Sequence, residues 1–132
     1  MAKQGWLRRL FGDRGENAAA RFLKKQGYRI LARQSRSRIG ELDLITRDSD
    51  GTIVFVEVKT RSSHAAGHPA EAVNFEKQKQ ITRAALAWLK QNRLLEHRAR
   101  FDVIAITWRA GENPLIEHFV HAFEPVGRGQ MF

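Results

Sequence analysis

A tight turn followed by an apolar segment is the feature that most constrains the fold of this chain. The turn Asp-Ser-Asp-Gly at residues 48–51 has the composition of a β-hairpin loop, because aspartate and glycine tolerate the backbone angles of such turns. Residues 52–60 follow as the most apolar segment and contain the run Ile-Val-Phe-Val. Such a run predicts a strand that is buried on both faces and lies in the centre of a sheet.

Helical and extended patterns alternate along the rest of the chain. A first helix is predicted to begin at Asp13, where Glu16 completes a capping box, and to end at Gly27. A second helix is predicted over residues 74–92. Strands are predicted over residues 28–34, 41–47, 52–60, 101–108 and 115–122. The order α-β-β-β-α-β-β predicts an α/β fold with a mixed central β-sheet flanked by helices.

The length and composition favour one domain. Residues 13–123 are expected to form it, between a basic N-terminal arm at residues 1–12 and a flexible C-terminal tail at residues 124–132. The absence of cysteine excludes thiolate metal sites and is compatible with a cytoplasmic location. No apolar run approaches the ~20 residues that span a bilayer, so we expect no integral membrane association. Trp6 and Phe11 leave open that the arm docks on the domain itself, on a membrane surface or on a partner.

Positive charge dominates the chain, with 23 lysines and arginines against 14 acidic residues and a net charge of +9. An excess of this size points first to nucleic acid as a partner. The alternative is that the basic residues only keep strand edges and helix faces solvated. The candidate phosphate contacts are Arg33, Arg36, Arg38, Arg61, Lys77 and Lys79.

Two carboxylates and a lysine fall on the predicted hairpin. If residues 49–51 form a three-residue loop, side-chain alternation places Asp43 opposite Glu57. The same register places Glu41 opposite Lys59, with Glu41, Asp43 and Ile45 on one face. Carboxylates about 4 Å apart repel by about 4 kcal/mol at an effective dielectric constant of about 20. The pattern therefore predicts a cation at this position, and Mg²⁺ or Mn²⁺ suits carboxylate ligands.

A divalent ion held by Asp43 and Glu57 suits hydrolysis of phosphodiester bonds. It would polarise the phosphate and lower the pKa of a bound water, while Lys59 positions that water or stabilises developing charge. Glu16 is a further candidate ligand, although its capping-box position explains it equally well. A ladder of exposed ion pairs is the structural alternative for the hairpin residues. His64 and His68 have no third ligand nearby in the sequence and are not expected to bind zinc.

These motifs also match a known pattern. Gly-Glu-Leu-Asp-Leu-Ile at residues 40–45 and Phe-Val-Glu-Val-Lys-Thr-Arg at residues 55–61 resemble the PD-(D/E)xK nuclease signature in its D…ExK form. Together with Gly15-Glu16, Gly27-Tyr28 and Arg-Phe-Asp-Val-Ile at residues 100–104, the chain more closely resembles the YraN family of uncharacterised bacterial proteins. The resemblance covers about residues 13 to 123. Gln34 departs from the asparagine that is usual after the first strand.

The resemblance implies a restriction-endonuclease-like fold, similar to the archaeal Holliday-junction resolvases. It implies that Asp43 and Glu57 are metal ligands, that Lys59 is the catalytic lysine and that Glu16 matches a helix carboxylate of the resolvases. The expected function is that of a metal-dependent endonuclease acting on nucleic acid, with structured DNA as the expected substrate. A non-catalytic nucleic-acid-binding module with a vestigial or partner-regulated metal site is the alternative. Cleavage of a symmetric junction would favour a homodimer.

Overall fold

A computed structural model of the protein describes residues 2–62 and 73–127, and side chains from Asp13 onward. His64 and His68, most of the loop before the second helix and residues 128–132 lie outside the described residues, as do the side chains of the N-terminal arm. The elements follow the predicted order: α1 (Ala2–Lys25), β1 (Arg29–Arg36), β2 (Glu41–Arg47), β3 (Ile53–Arg61), α2 (Phe75–Gln91), β4 (Ala99–Thr107) and β5 (Leu115–Phe123).

The five strands form one mixed sheet in the order β1-β2-β3-β4-β5. β3 and β4 are parallel, whereas the other neighbouring strands are antiparallel. β3 is the central strand, as its apolar run predicts. Its Ile53 and Phe55 pack in the cluster with α2, and its Val54 and Val56 pack in the cluster with α1. The predicted α/β fold, a mixed sheet flanked by helices, is therefore confirmed.

The hairpin between β2 and β3 has the predicted register. Asp48 donates its backbone N–H to the carbonyl of Thr52 at 3.0 Å, and the intervening Gly51 has a φ of 87°. That angle belongs to the left-handed region, which glycine adopts without the steric cost that a Cβ would add. The paired residues run from Arg47 with Ile53 to Leu44 with Val56.

The first helix begins earlier than predicted. α1 starts at Ala2, so Asp13 lies inside the helix and the predicted capping box is wrong. The arm is rich in leucine, arginine and lysine, which are good helix formers, so the helix can extend through it. The Asp13 carboxylate instead accepts a hydrogen bond from Gln34. The predicted end is correct, because Gly27 has a φ of 94° and the N–H of Tyr28 bonds back to the carbonyl of Leu23.

Gly15 allows α1 to pack closely on the sheet. A Cβ at this position would overlap the methyl group of Thr60 at the end of β3. The absence of a side chain therefore permits the approach of the helix, and it sets the neighbouring Glu16 beside the hairpin. Among the described residues, no helix is both long enough and apolar enough to cross a bilayer.

Candidate metal and nucleic-acid site

The regular alternation of β2 breaks at Asp43. Leu42 packs with Ile45 in the cluster beneath α2, whereas Leu44 packs in the cluster beneath α1. Strict alternation would place Leu42 and Leu44 on the same face, so the predicted common face of Glu41, Asp43 and Ile45 is wrong. On the neighbouring β1, Gln34 has a φ of 47° at the matching position, between the pairs Arg33–Leu44 and Ser35–Leu42. Such paired irregularities re-aim side chains at the end of a strand.

This break turns the Asp43 carboxylate towards β3. Its Oδ2 accepts a 2.8 Å hydrogen bond from the backbone N–H of Val58. The ladder between β2 and β3 ends at Leu44 and Val56, so this side chain replaces a strand partner just beyond the last pair. The Asp43 carboxylate also lies close enough to Glu57 for its negative charge to raise the pKa of that residue. The structure thus brings together the two acids that the hairpin register predicts to be neighbours.

Glu57 lies in a poor environment for a lone negative charge. Its side chain is only 8% exposed. Burial, followed by the negative charge of Asp43, raises the pKa of Glu57 to about 8, although Lys77 and Lys59 oppose the rise. Near neutral pH the glutamate therefore retains a proton, which it can share with Asp43, unless a stronger cation replaces that proton.

Two lysines complete the cluster. Burial lowers the pKa of Lys59, and the positive charge of Lys77 lowers it further. The Nζ atom of Lys77 lies 3.4 Å from Oε1 of Glu57. Burial alone would lower the pKa of Lys77, but the charge of Glu57 raises it. The sequence predicts Lys77 only as a phosphate contact, because the approach of α2 to the hairpin has no local signal.

Glu16 and Gln34 form a second polar group on the side of α1. The Gln34 amide donates to Oε2 of Glu16 at 3.1 Å and to the carboxylate of Asp13 at 2.5 Å. Burial raises the pKa of Glu16 to about 7, with the charges of Asp43 and Asp13 adding to the rise and Gln34 opposing it. Gln34, the departure from the family pattern, therefore links the β1 irregularity to the helix.

The donor set fits a divalent metal held by two carboxylates. Within the described residues, no three histidine, cysteine, aspartate or glutamate side chains are close enough to share an ion. The structure therefore does not place Glu16 in one ligand group with Asp43 and Glu57. Mg²⁺ commonly uses one or two carboxylates and retains several waters, so the adjacent, partly repelling pair is a suitable partial ligand set.

The predicted basic contacts divide into engaged and exposed side chains. Arg33 donates to Asn17 at 2.8 Å, and Arg61 donates to Thr107 at 3.2 Å and approaches Glu117 at 3.4 Å. Arg36 forms a 3.5 Å ion pair with Glu41. Glu41 is aligned with Arg36 on β1, and the β2–β3 ladder does not reach it, so its predicted pairing with Lys59 is wrong.

The predicted basic contacts lie near one end of the sheet. The carboxyl ends of β1 and β3 meet there with the start of β2, because these neighbouring strands are antiparallel. Arg38, between β1 and β2, is exposed. Lys79, in the second turn of α2, is half-buried. The basic residues near this end of the sheet are Arg33, Arg36, Arg38, Arg61, Lys77 and Lys79.

A second buried network lies on the α1 side of the sheet. Asp102 is fully buried and accepts hydrogen bonds from Arg100 at 3.0 Å and from the backbone N–H of His121 at 3.1 Å. Its other oxygen lies 2.7 Å from Nε2 of His118. Arg100 also donates to Asp48 and Tyr28, each at 2.8 Å. The network ties β4 and β5 to the turn of the hairpin, and the sequence carries no local signal for the part played by His118.

Solved structures with some likeness to this chain include an EndoMS–dsDNA2 complex and a repair endonuclease from Pyrococcus abyssi. The first has a TM-score of 0.41 and 22% identity, covering 68% of this chain and 34% of that chain. The second has a TM-score of 0.38 and 21% identity, covering 64% of this chain and 31% of that chain. This chain therefore spans about a third of the length of either protein.

Sequence relatives cover most of the chain. A UPF0102 protein from Trichlorobacter lovleyi is 56% identical over 113 residues, which are 86% of this chain and 89% of the relative. A UPF0102 protein from Pelobacter propionicus is 52% identical over 114 residues, which are 86% of this chain and 81% of the relative. The sequence profile of the family matches residues 15–106, which contain the hairpin acids, both lysines and Glu16. The chain belongs to the uncharacterised protein family UPF0102.

Proposed function

We propose that the protein is a metal-dependent endonuclease that hydrolyses phosphodiester bonds in nucleic acid, with structured DNA as the expected substrate. The observation that carries this proposal is the convergence of Asp43, Glu57 and Lys59 at one end of the sheet. A buried pair of acids needs a proton or a cation, and a sheet that served only as a scaffold would be more stable without it. This loss of stability is consistent with a functional site.

Each residue has a distinct role in this proposal. Asp43 and Glu57 would hold Mg²⁺ or Mn²⁺, and Val58 orients Asp43 by its backbone hydrogen bond. The bound ion would supply Lewis-acid polarisation of the phosphate and an acidified water. Lys59 has a lowered pKa, so its neutral amine is more accessible than that of an exposed lysine and can accept a proton from the attacking water. Glu16, with a pKa of about 7, is a second candidate for proton transfer or metal binding.

The charge distribution supports nucleic acid as the substrate. The chain has a net charge of +9, and the predicted phosphate contacts lie near the end of the sheet that carries the acids. Phosphate contacts of this kind set affinity and position rather than sequence preference. Arg38 and Lys79 have no ion pair among the described residues and are therefore the most available contacts. The homodimer and the cytoplasmic location stay predictions.

The test is cleavage of branched, flapped and single-stranded DNA with Mg²⁺ or Mn²⁺. We expect Asp43→Asn to reduce the rate by about a hundred-fold or more, because one ligand of the ion loses its charge. Asp50→Asn is the matched control, since Asp50 is an exposed acid on the turn at the other end of the hairpin. Cleavage by Asp43→Asn at the rate of the parent protein would show that the metal assignment is wrong.

A non-catalytic binding module is the second candidate. The observation that favours it is the ion pair between Lys77 and Glu57, which neutralises the acidic pair without a metal. This candidate predicts salt-dependent binding of nucleic acid, no hydrolysis and no effect of Asp43→Asn on affinity. Calorimetric titration with Mg²⁺ separates the two, because a simple binding module needs no Asp43-dependent metal site.

A further inference from the structure

We propose that Lys77 is the resident counter-ion of the Asp43–Glu57 pair and that a divalent metal binds there only by displacing it. The inference rests on the proposed metal-binding role of the two acids. It adds a device that the proposed function does not require, namely a competition between a cation of the protein and a cation from solution.

The ammonium group of Lys77 lies beside the carboxylate of Glu57. Nζ of Lys77 lies 3.4 Å from Oε1 of Glu57, and the side chain of Lys77 is 42% exposed whereas that of Glu57 is 8% exposed. The lysine is thus the more open partner and occupies the accessible side of the buried carboxylate. An ion that uses Oε1 needs the lone pairs that now face Lys77, so the two cations compete for one oxygen.

The backbone of Lys77 is fixed at the start of α2, whereas its side chain is flexible. Its backbone N–H donates at 2.9 Å to Oδ1 of Asn74, the N-cap of α2. The cap holds the first helical turn in place, so displacement of the ammonium group does not require movement of the helix. The four-carbon stem of a lysine is flexible, and its exposed half leaves room for the ammonium group to leave Glu57.

A displaced Lys77 needs a new negatively charged partner. Lys59 cannot be that partner, because the positive charges of the two lysines oppose one another. A phosphate of the substrate is the partner with the required charge. Phosphate binding would therefore draw Lys77 away and favour the metal, and by thermodynamic linkage the metal would favour phosphate binding to the same extent.

The test is the affinity for Mg²⁺ measured by calorimetry without nucleic acid in the parent protein, Lys77→Gln and Lys90→Gln. Measurements at about pH 9 limit competition from a proton on Glu57. We expect Lys77→Gln to bind Mg²⁺ about ten-fold more tightly than the parent protein, because its competitor is absent. Lys90→Gln, which removes an exposed positive charge from the last turn of the same helix, should bind like the parent protein. Asp43→Asn combined with Lys77→Gln should abolish the binding and so locate it.

Failure of the competition and failure of the metal site give different results. Equal Mg²⁺ affinity in the parent protein and in Lys77→Gln, with both dependent on Asp43, overturns the competition and leaves the proposed function standing. No Asp43-dependent binding in either protein overturns the competition together with the proposed metal site. A Mn²⁺-soaked crystal gives an independent measurement, since density between the carboxylates with Lys77 still paired to Glu57 would also overturn the inference.

Discussion

The backbone N–H of Val58 donates a 2.8 Å hydrogen bond to Oδ2 of Asp43, so the first acid of the site is oriented by the strand that carries the second. One side chain thus has two separable properties, an acceptor atom that completes a strand end and a charge that opposes Glu57. Substitutions that remove one property and keep the other can distinguish the structural role of Asp43 from its proposed functional role.

Asp43→Asn should retain the stability of the parent protein or exceed it, because its amide oxygen can still accept from Val58 while the repulsion with Glu57 is lost. Asp43→Ala should be less stable than Asp43→Asn by about 1 kcal/mol, since the N–H of Val58 then lacks its acceptor. Thermal or denaturant unfolding of the two variants measures the difference. Equal stability of the two variants would mean that water replaces the carboxylate at Val58.

The raised pKa of Glu57 predicts a stability that falls as pH rises. The folded protein holds this proton up to about pH 8, whereas the unfolded chain loses it near the ordinary value of 4.5. Between these values the native state binds more protons, so the free energy of unfolding decreases with increasing pH. Relative to Glu57→Gln, the parent protein should lose about 2 kcal/mol or more between about pH 5 and about pH 8.5. Parallel pH profiles of the two proteins would contradict the raised pKa.

Addition of Mg²⁺ should restore this loss in the parent protein only. A ligand that binds the native state stabilises it in proportion to the logarithm of its concentration over its dissociation constant. Glu57→Gln lacks one of the proposed ligands, so its melting temperature should not respond to the ion. An equal rise in both proteins would indicate binding elsewhere on the chain.

The contact between Gly15 and Thr60 can be tested with a double-mutant cycle. Gly15→Ala should destabilise the protein by about 1 kcal/mol or more, because the new Cβ overlaps the Thr60 methyl group and outweighs the better helix propensity of alanine. In a Thr60→Ser background, which lacks that methyl group, the same change should be neutral or stabilising. Independent effects of the two substitutions would show that α1 does not pack closely at this point.

Asp102 should be one of the most sensitive positions for stability. Asp102→Ala removes the acceptor of Arg100 and His118 and leaves a partly buried guanidinium group, so we expect a loss of about 3 kcal/mol or more. Asp50→Ala, at an exposed acid, should change stability by less than about 0.5 kcal/mol. Denaturant titration compares the two. A small effect at Asp102 would mean that the network reorganises around water.

The sequence predicts well the structural features that depend on residues close together along the chain. The loop at residues 49–51 specifies the register of β2 and β3, and Gly27 ends α1, because both effects follow from backbone angles that few residues adopt. The central position of β3 follows from its apolar run. The same local signals mislead at Asp13, since a residue with capping chemistry can also occur inside a longer helix.

The remaining features depend on contacts between distant segments. The break at Gln34 and Asp43 requires two strands to lose their alternation together, and no periodic pattern in either strand reports it. Lys77 reaches Glu57 only after α2 packs on the sheet. The sequence therefore identifies the two acids and Lys59 as candidates, but it does not show that a second lysine shares their site.

The hairpin turn places the two repelling acids close together along the polypeptide, so they meet as soon as the shortest-range contacts of the sheet form. β3 and β4, by contrast, pair only across the whole of α2. Local contacts generally form before distant ones. The hairpin would then bring the acids together before their lysine neighbour from α2 is in place, so divalent ions should accelerate its formation.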